Sequence, residues 1–286
     1  MDIKIRATSQ KHNVKIAIVD LSESMLEITN LQETNPIASI VLAKTTAANA
    51  LLGVELKNGE TMSSNIVTSD GLVKKIITEY QNNKVRSYIQ NPNFDANLLV
   101  GVSNPLVAAL GQIGTLVTCV NLNLKEPYIS KVDLIDGTID GDYMNYLRVS
   151  NQINSFITTK VKLDSKMKIE KVVGILVQLF PNHTNEDINY LETKIGNSQY
   201  IADILLNSTN YESVIKEIVE DAIILENKEL KFECTCSKEK TFNSIKILGN
   251  EELKKIIAEQ KNLEVVCEFC NKKYQILFTE IEQLLH

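Results

Sequence analysis

Phe-Glu-Cys-Thr-Cys-Ser at residues 232–237 and Glu-Val-Val-Cys-Glu-Phe-Cys-Asn-Lys-Lys-Tyr at residues 264–274 carry the most specific chemistry in the chain. Cys234 and Cys236 form a C-x-C, Cys267 and Cys270 form a C-x-x-C, and thirty residues separate the pairs. Four thiolates are a complete soft tetrahedral set, and a C-x-x-C followed by an aromatic such as Tyr274 suits a structural Zn²⁺. With four protein ligands such a site is closed, which leaves no position for a catalytic water. The spacing therefore predicts a small Cys₄ zinc domain over residues 231–286, with one zinc, and argues against a zinc hydrolase.

The same pairs have a second chemistry. On an extended segment the side chains of a C-x-C share a face with Cα atoms about 6.6 Å apart, near the upper limit for a disulfide. Such a pair chelates metal or closes into a strained, readily reduced bond, and C-x-x-C is the spacing that redox proteins use for reversible disulfides. An inert zinc clip and a redox switch both fit. The cost of losing the metal is large in either case. A domain of this size draws about 3–5 kcal/mol from its core, against about 10–16 kcal/mol of apparent binding free energy for structural zinc. Oxidation removes the anionic sulfurs, so an oxidant is converted into local unfolding.

Working outward, 286 residues give a prior of about two domains, and 44% hydrophobic with 23% charged residues is ordinary for a globular chain. The formal charge of −6 lacks the basic footprint of a nucleic-acid binder. Three histidines (His12, His183, His286) leave little material for imidazole catalysis, and all three read as surface residues. No apolar run follows Met1 before Asp2, Lys4 and Arg6, so a cytoplasmic location is expected. In a reducing cytosol clustered cysteines are ligands or redox groups. The longest uncharged stretch, between Asp95 and Lys125, contains Gly101, Pro105, Gly111 and Gly114 and reads as buried loop and strand, with no membrane span.

The fold class expected is α+β: a mixed α/β N-terminal domain over 1–181, a helical linker over 182–230, and the zinc domain. Strands are predicted at 4–7, 14–19, 60–68, 71–80, 84–90 and 172–180, the last stopped by Pro181, with a turn at Gln81, Asn82 and Asn83 and a long helix opening at Pro36. Residues 184–230 hold ten acidic residues against three lysines. Two helical stripes stand there, Ile188, Leu191, Ile195 and Tyr211, Val214, Ile215, Ile218, Ala222, with Thr209 and Glu212 spaced as a capping box. These are surface helices packed on the first domain, or a marginal linker that detaches on a signal. Cys119, in Thr-Leu-Val-Thr-Cys-Val, reads as a buried free thiol with no assigned role.

Taken together, these residues resemble the heat-shock protein 33 (HslO-type) redox-regulated chaperones. The resemblance rests on the four cysteines, on Leu-Gly-Asn-Glu-Glu-Leu at 248–253, Gly-Thr-Leu at 114–116, Leu-Lys-Glu-Pro-Tyr at 124–128 and Gly-Ile-Leu-Val-Gln-Leu-Phe-Pro at 174–181. It implies an ATP-independent holdase, not an enzyme. The reduced form would hold one zinc on Cys234, Cys236, Cys267 and Cys270 and be inactive. Oxidation would form Cys234–Cys236 and Cys267–Cys270 disulfides, release zinc and unfold the 182–230 linker. The implied partners are unfolding client proteins, a second copy in an oxidised homodimer, and ATP-dependent chaperones that receive the client. No G-x-x-x-x-G-K-[ST] loop is present, in keeping with ATP independence. The apolar stretch 102–113 with Pro105 departs from the family's glycine- and charge-rich pattern, which puts client or dimer contacts there in doubt.

Two other classes fit less well. A zinc-stabilised nucleic-acid module would need a basic stripe, but residues 231–286 balance nine basic and nine acidic side chains. An enzyme sited in the first 181 residues would need a convergent nucleophile, base and orienter, and no motif supplies them.

Overall fold

The computed structural model describes residues 1–284, which divide into two compact units, Met1–Phe232 and Glu233–His286. In chain order the first unit contains β1 (Ile3–Ser9), β2 (Val14–Asp20), α1 (Ser22–Leu31), α2 (Pro36–Gly53), β3 (Thr61–Thr68), β4 (Lys75–Gln81), β5 (Lys84–Ile89), α3 (Pro105–Leu110), β6 (Gly114–Asn121), β7 (Tyr128–Asp133), α4 (Ile139–Tyr146), β8 (Ser155–Leu163), β9 (Ile169–Leu179), α5 (Asn185–Ile195), α6 (Ser198–Asn207), α7 (Tyr211–Ile218), β10 (Ile223–Glu229) and β11 (Lys231–Phe232). One sheet has the order β10-β1-β2-β9-β8 and a second the order β11-β5-β4-β3-β6-β7. Every pairing is antiparallel except β11 with β5. The α+β class holds.

Alternation along the strands sets the layers. Ala17, Val19, Val172 and Leu176 face the core shared with α2 and the second sheet, whereas Ile16, Ile18, Val173, Ile175 and Val177 face α5, α6 and α7. Both faces of the first sheet are thus covered, which is why 172–180 is a continuous apolar run. Asn35 caps α2 by accepting the Ala38 N–H at 2.8 Å, with Pro36 at the first turn. By length and composition α2 is apolar enough to cross a membrane, but it is a core helix between the two sheets, with 72% of its apolar window buried. At the β4–β5 turn Asn82 and Asn83 take φ of 52° and 61°, the left-handed pair of a two-residue hairpin.

Several expectations change. Residues 182–230 pack into the first unit, as the surface-helix alternative has it. They are helical only to Ile218, and 223–229 form a strand, because the β-branched pair Ile223-Ile224 completes the open edge of β1. Asn210, not Thr209, caps α7 by accepting the Ser213 N–H, and the capping box belongs to Thr184 and Asp187 at α5. The strand expected from Gly71 begins at Lys75. The 96–124 run is largely surface: Leu98, Val100, Ile113 and Leu124 are exposed on loops around α3 and β6, and only β6 is strand. Cys119 is half-buried, since it alternates with the inward Thr118 on β6. His12 and His183 are half-buried and held, His12 stacked on Tyr190 with centroids 3.7 Å apart and His183 with Nδ1 2.7 Å from the Phe180 carbonyl. His286 lies outside the described residues.

One buried acid gives the first unit a pH signature. Asp142 on α4 is 1% exposed, one oxygen accepts the Ile135 N–H at 2.8 Å, and the other has no partner. Burial dominates the backbone donors and pushes its carboxyl up to about 6. The native state then binds more protons than the unfolded chain between about pH 4 and 6, so this residue's contribution to stability is present below pH 4 and lost as pH rises through 6. Asp142→Asn is expected to flatten that slope by about 2 kcal/mol. Denaturant titrations of both proteins at pH 4 and 7 check it, and an unchanged slope contradicts it.

Candidate metal centre

The second unit contains α8 (Lys238–Ser244), α9 (Gly249–Ala258), β12 (Leu263–Val266), β13 (Lys273–Ile276) and α10 (Phe278–Ile281). Among the described residues its buried apolar cluster is Ile245, Leu253, Ile256, Ile276 and Ile281. A core of this size does not by itself order such a unit.

The cysteines come from two local structures. Cys234 and Cys236 lie on the extended segment before Ser237, which caps α8 by accepting the Lys240 N–H at 3.1 Å. Cys267 and Cys270 occupy the tight turn of the β12–β13 hairpin. The Cys267 carbonyl accepts the Asn271 N–H at 2.8 Å, and the Cys267 N–H donates to the Lys272 carbonyl at 2.9 Å. Asn271 sits at φ 57°, a conformation asparagine tolerates. All four sulfurs lie within 4.8 Å of one another and are half-buried. Across the pairs, Cys234 lies 3.7 Å from Cys267 and Cys236 lies 3.5 Å from Cys270.

That spacing is the test of fit. Tetrahedral zinc bonded to sulfur at about 2.3 Å has ligand–ligand edges of about 3.8 Å. The residues present therefore suit a four-coordinate soft cation. Tyr274, on β13, donates its hydroxyl to the Cys236 sulfur at 3.0 Å, an outer hydrogen bond that the sequence signals only as a nearby aromatic. Burial raises the Cys236 thiol, but the bonds from Tyr274 and the neighbouring thiols outweigh it and bring Cys236 down to about 7. Burial holds the Cys267 and Cys270 thiols up, and the bond to Cys236 pushes Tyr274 up to about 12. Cys119 sits on β6 in the first unit and takes no part in the cluster.

A family model described as Hsp33 protein matches residues 2–277. The chain belongs to the Hsp33 family. The 33 kDa chaperonin of Clostridioides difficile (strain 630) is 30% identical over 287 residues, spanning 99% of this chain and 98% of that one. The 33 kDa chaperonin of Alkaliphilus metalliredigens (strain QYMF) is 26% identical across 98% of this chain and 97% of its own. The crystal structure of the 33 kDa chaperonin from Thermotoga maritima superposes with a TM-score of 0.84 at 27% identity, covering 99% of this chain and 97% of that one. This Hsp33-family member is accordingly a chaperone, and its four-cysteine cluster lies in the C-terminal unit.

Proposed function

We propose that this chain is a redox-switched holdase that binds unfolding proteins in the cytoplasm without ATP and has no catalytic role. The clustered C-x-C and C-x-x-C sulfurs carry the reading. When bound to the four thiolates, zinc supplies the cross-link that orders residues 233–284. In the reduced state Cys234, Cys236, Cys267 and Cys270 hold it and the protein is inactive. A two-electron oxidant acting on each close pair converts two thiolates into one disulfide, Cys234–Cys236 and Cys267–Cys270, and the ligand set is lost. The second unit, with its small apolar cluster, then unfolds.

Residues 182–230 follow in this scheme. Their helices α5, α6 and α7 cover the sheet face formed by Ile5, Ile16, Ile18, Val173, Ile175 and Val177. Their release uncovers a contiguous apolar face of the kind that captures unfolded segments. The oxidised protein dimerises and passes clients to ATP-dependent chaperones.

Disulfide mapping by mass spectrometry tests the pairing. The folded cluster holds Cys234 within 3.7 Å of Cys267 and Cys236 within 3.5 Å of Cys270, so bonds captured in the folded state would include Cys234–Cys267 and Cys236–Cys270. Bonds formed as the unit loosens would follow the shortest loops, and within-pair disulfides are the expected result. A majority of cross-pair bonds contradicts it.

A further inference from the structure

The edge strand β10 is held in an unusual way. None of its seven side chains is buried, and Ile223 and Leu225 are 62% and 57% exposed. Its hold on β1 is the backbone ladder, the half-buried Ile224 and one carboxylate. Glu226 lies 3.3 Å from the Lys4 ammonium and 3.5 Å from the Arg6 guanidinium. Lys4 is 3% exposed, and its other partners are the Val54 carbonyl at 3.1 Å and the Tyr80 hydroxyl at 3.2 Å.

The register makes the arrangement specific. Arg6 pairs with Glu226 and Ala7 with Ile224, so Leu225 is an extra, bulged residue. The bulge reverses the side-chain parity. Ile224 joins Ile5 and Ala7 on the face under α5–α7, while Glu226 joins Lys4 and Arg6 on the opposite face. Leu225 reaches into a cleft of about 320 Å³ that Arg6, Lys15, Val54, Glu55 and Phe180 also line.

Removing β10 leaves β1 with a row of unpaired backbone groups. Of the ion-pair partners seen here, only Glu55 then remains for Lys4, Arg6 and Lys15. Such an edge accepts an extended chain, and its charge selects one with an acidic side chain at the position opposite Arg6.

We infer that β1 is a receptor edge for extended client segments in which apolar residues precede an acidic one, and that β10 fills this edge with a mimic of such a segment until the switch opens. The inference rests on the proposed release of residues 182–230.

The test uses the full chain, reduced or oxidised, and a labelled peptide of residues 222–230 with its Glu226→Lys counterpart. Hydrogen exchange reads those of the Ile3–Ser9 amides that bond to β10, the others being bonded to β2, and fluorescence anisotropy reads peptide binding. Those amides are expected to be protected in the reduced protein, to lose protection on oxidation and to regain it with the peptide, which displaces a chemically unfolded client. The Glu226→Lys peptide is expected to bind at least about tenfold more weakly, and Arg6→Gln in the protein is expected to narrow that difference. Oxidised protein that suppresses client aggregation but keeps β1 protected, or whose unprotected β1 ignores the peptide, overturns the inference and leaves the holdase reading standing. Protection regained without peptide as protein concentration rises assigns the edge to β10 of a second copy and overturns the client assignment. Oxidised protein that neither releases zinc nor suppresses aggregation refutes the holdase reading, and the receptor edge falls with it.

Discussion

The double substitution Cys267→Ser and Cys270→Ser is expected to abolish tight zinc binding and unfold residues 233–284 while leaving residues 1–181 folded. Both sulfurs sit within 4.8 Å of Cys234 and Cys236, and serine replaces two soft anionic donors by neutral hydroxyls that bind zinc poorly. The five-residue apolar core cannot replace the loss, because structural zinc contributes about 10–16 kcal/mol and a small core about 3–5 kcal/mol. Chelator competition reads the affinity, with an expected fall of more than about a thousandfold, and amide exchange reads the order of the unit. Cys119→Ser is the control. It lies on β6, outside the cluster, and is expected to keep full zinc stoichiometry. One zinc retained per chain by the double variant would remove the site from the cysteines.

The second large effect concerns the cover on the first sheet. Ile215 on α7 is fully buried against the sheet face, beside Tyr211, Val214 and Ile218. Ile215→Asp places an unpaired carboxylate in that layer and removes an apolar side chain, at a cost on the order of 4 kcal/mol or more. The helices α5–α7 are expected to detach with zinc still bound, giving client binding under reducing conditions. Tyr211→Phe is a milder probe. The Tyr211 hydroxyl donates to Asp20 at 2.7 Å, next to the Lys171 ammonium 2.9 Å from the same carboxylate oxygen. Its loss costs about 1.5–3 kcal/mol and is expected to lower the oxidant dose needed without making the protein constitutive. Aggregation assays on the reduced proteins separate the two. An inactive Ile215→Asp chain with α5–α7 shown by exchange to be released would contradict the view that this layer is the cover.

The strands and the cysteine cluster were legible in the sequence because each rests on short-range chemistry. Alternation located β1, β2 and the β4–β5 hairpin, with Asn82 and Asn83 marking the turn. Cysteine spacing located the cluster. What the sequence hid depends on partners distant along the chain. Residues 223–229 carry charge and no clear period, and they become strand only because β1 offers an edge more than two hundred positions away. His12 reads as a polar loop residue, yet the ring of Tyr190 on α5 claims it. The 182–230 zone reads equally as packed surface helices or a marginal linker, because its apolar stripes face a sheet whose strands are scattered from Ile3 to Leu179. The Tyr274 bond to Cys236 has no sequence signal beyond the presence of an aromatic.

The central claim is that oxidation of the cysteine cluster, by removing zinc, turns on client binding. It is tested most directly by following zinc release and light scattering from a denaturing client together, on one sample of reduced protein treated with oxidant at elevated temperature. The account predicts that zinc leaves first, that suppression of scattering rises with it, and that neither occurs without oxidant. Zinc that leaves with no gain in suppression, or suppression already complete in the reduced, zinc-loaded protein, would contradict it.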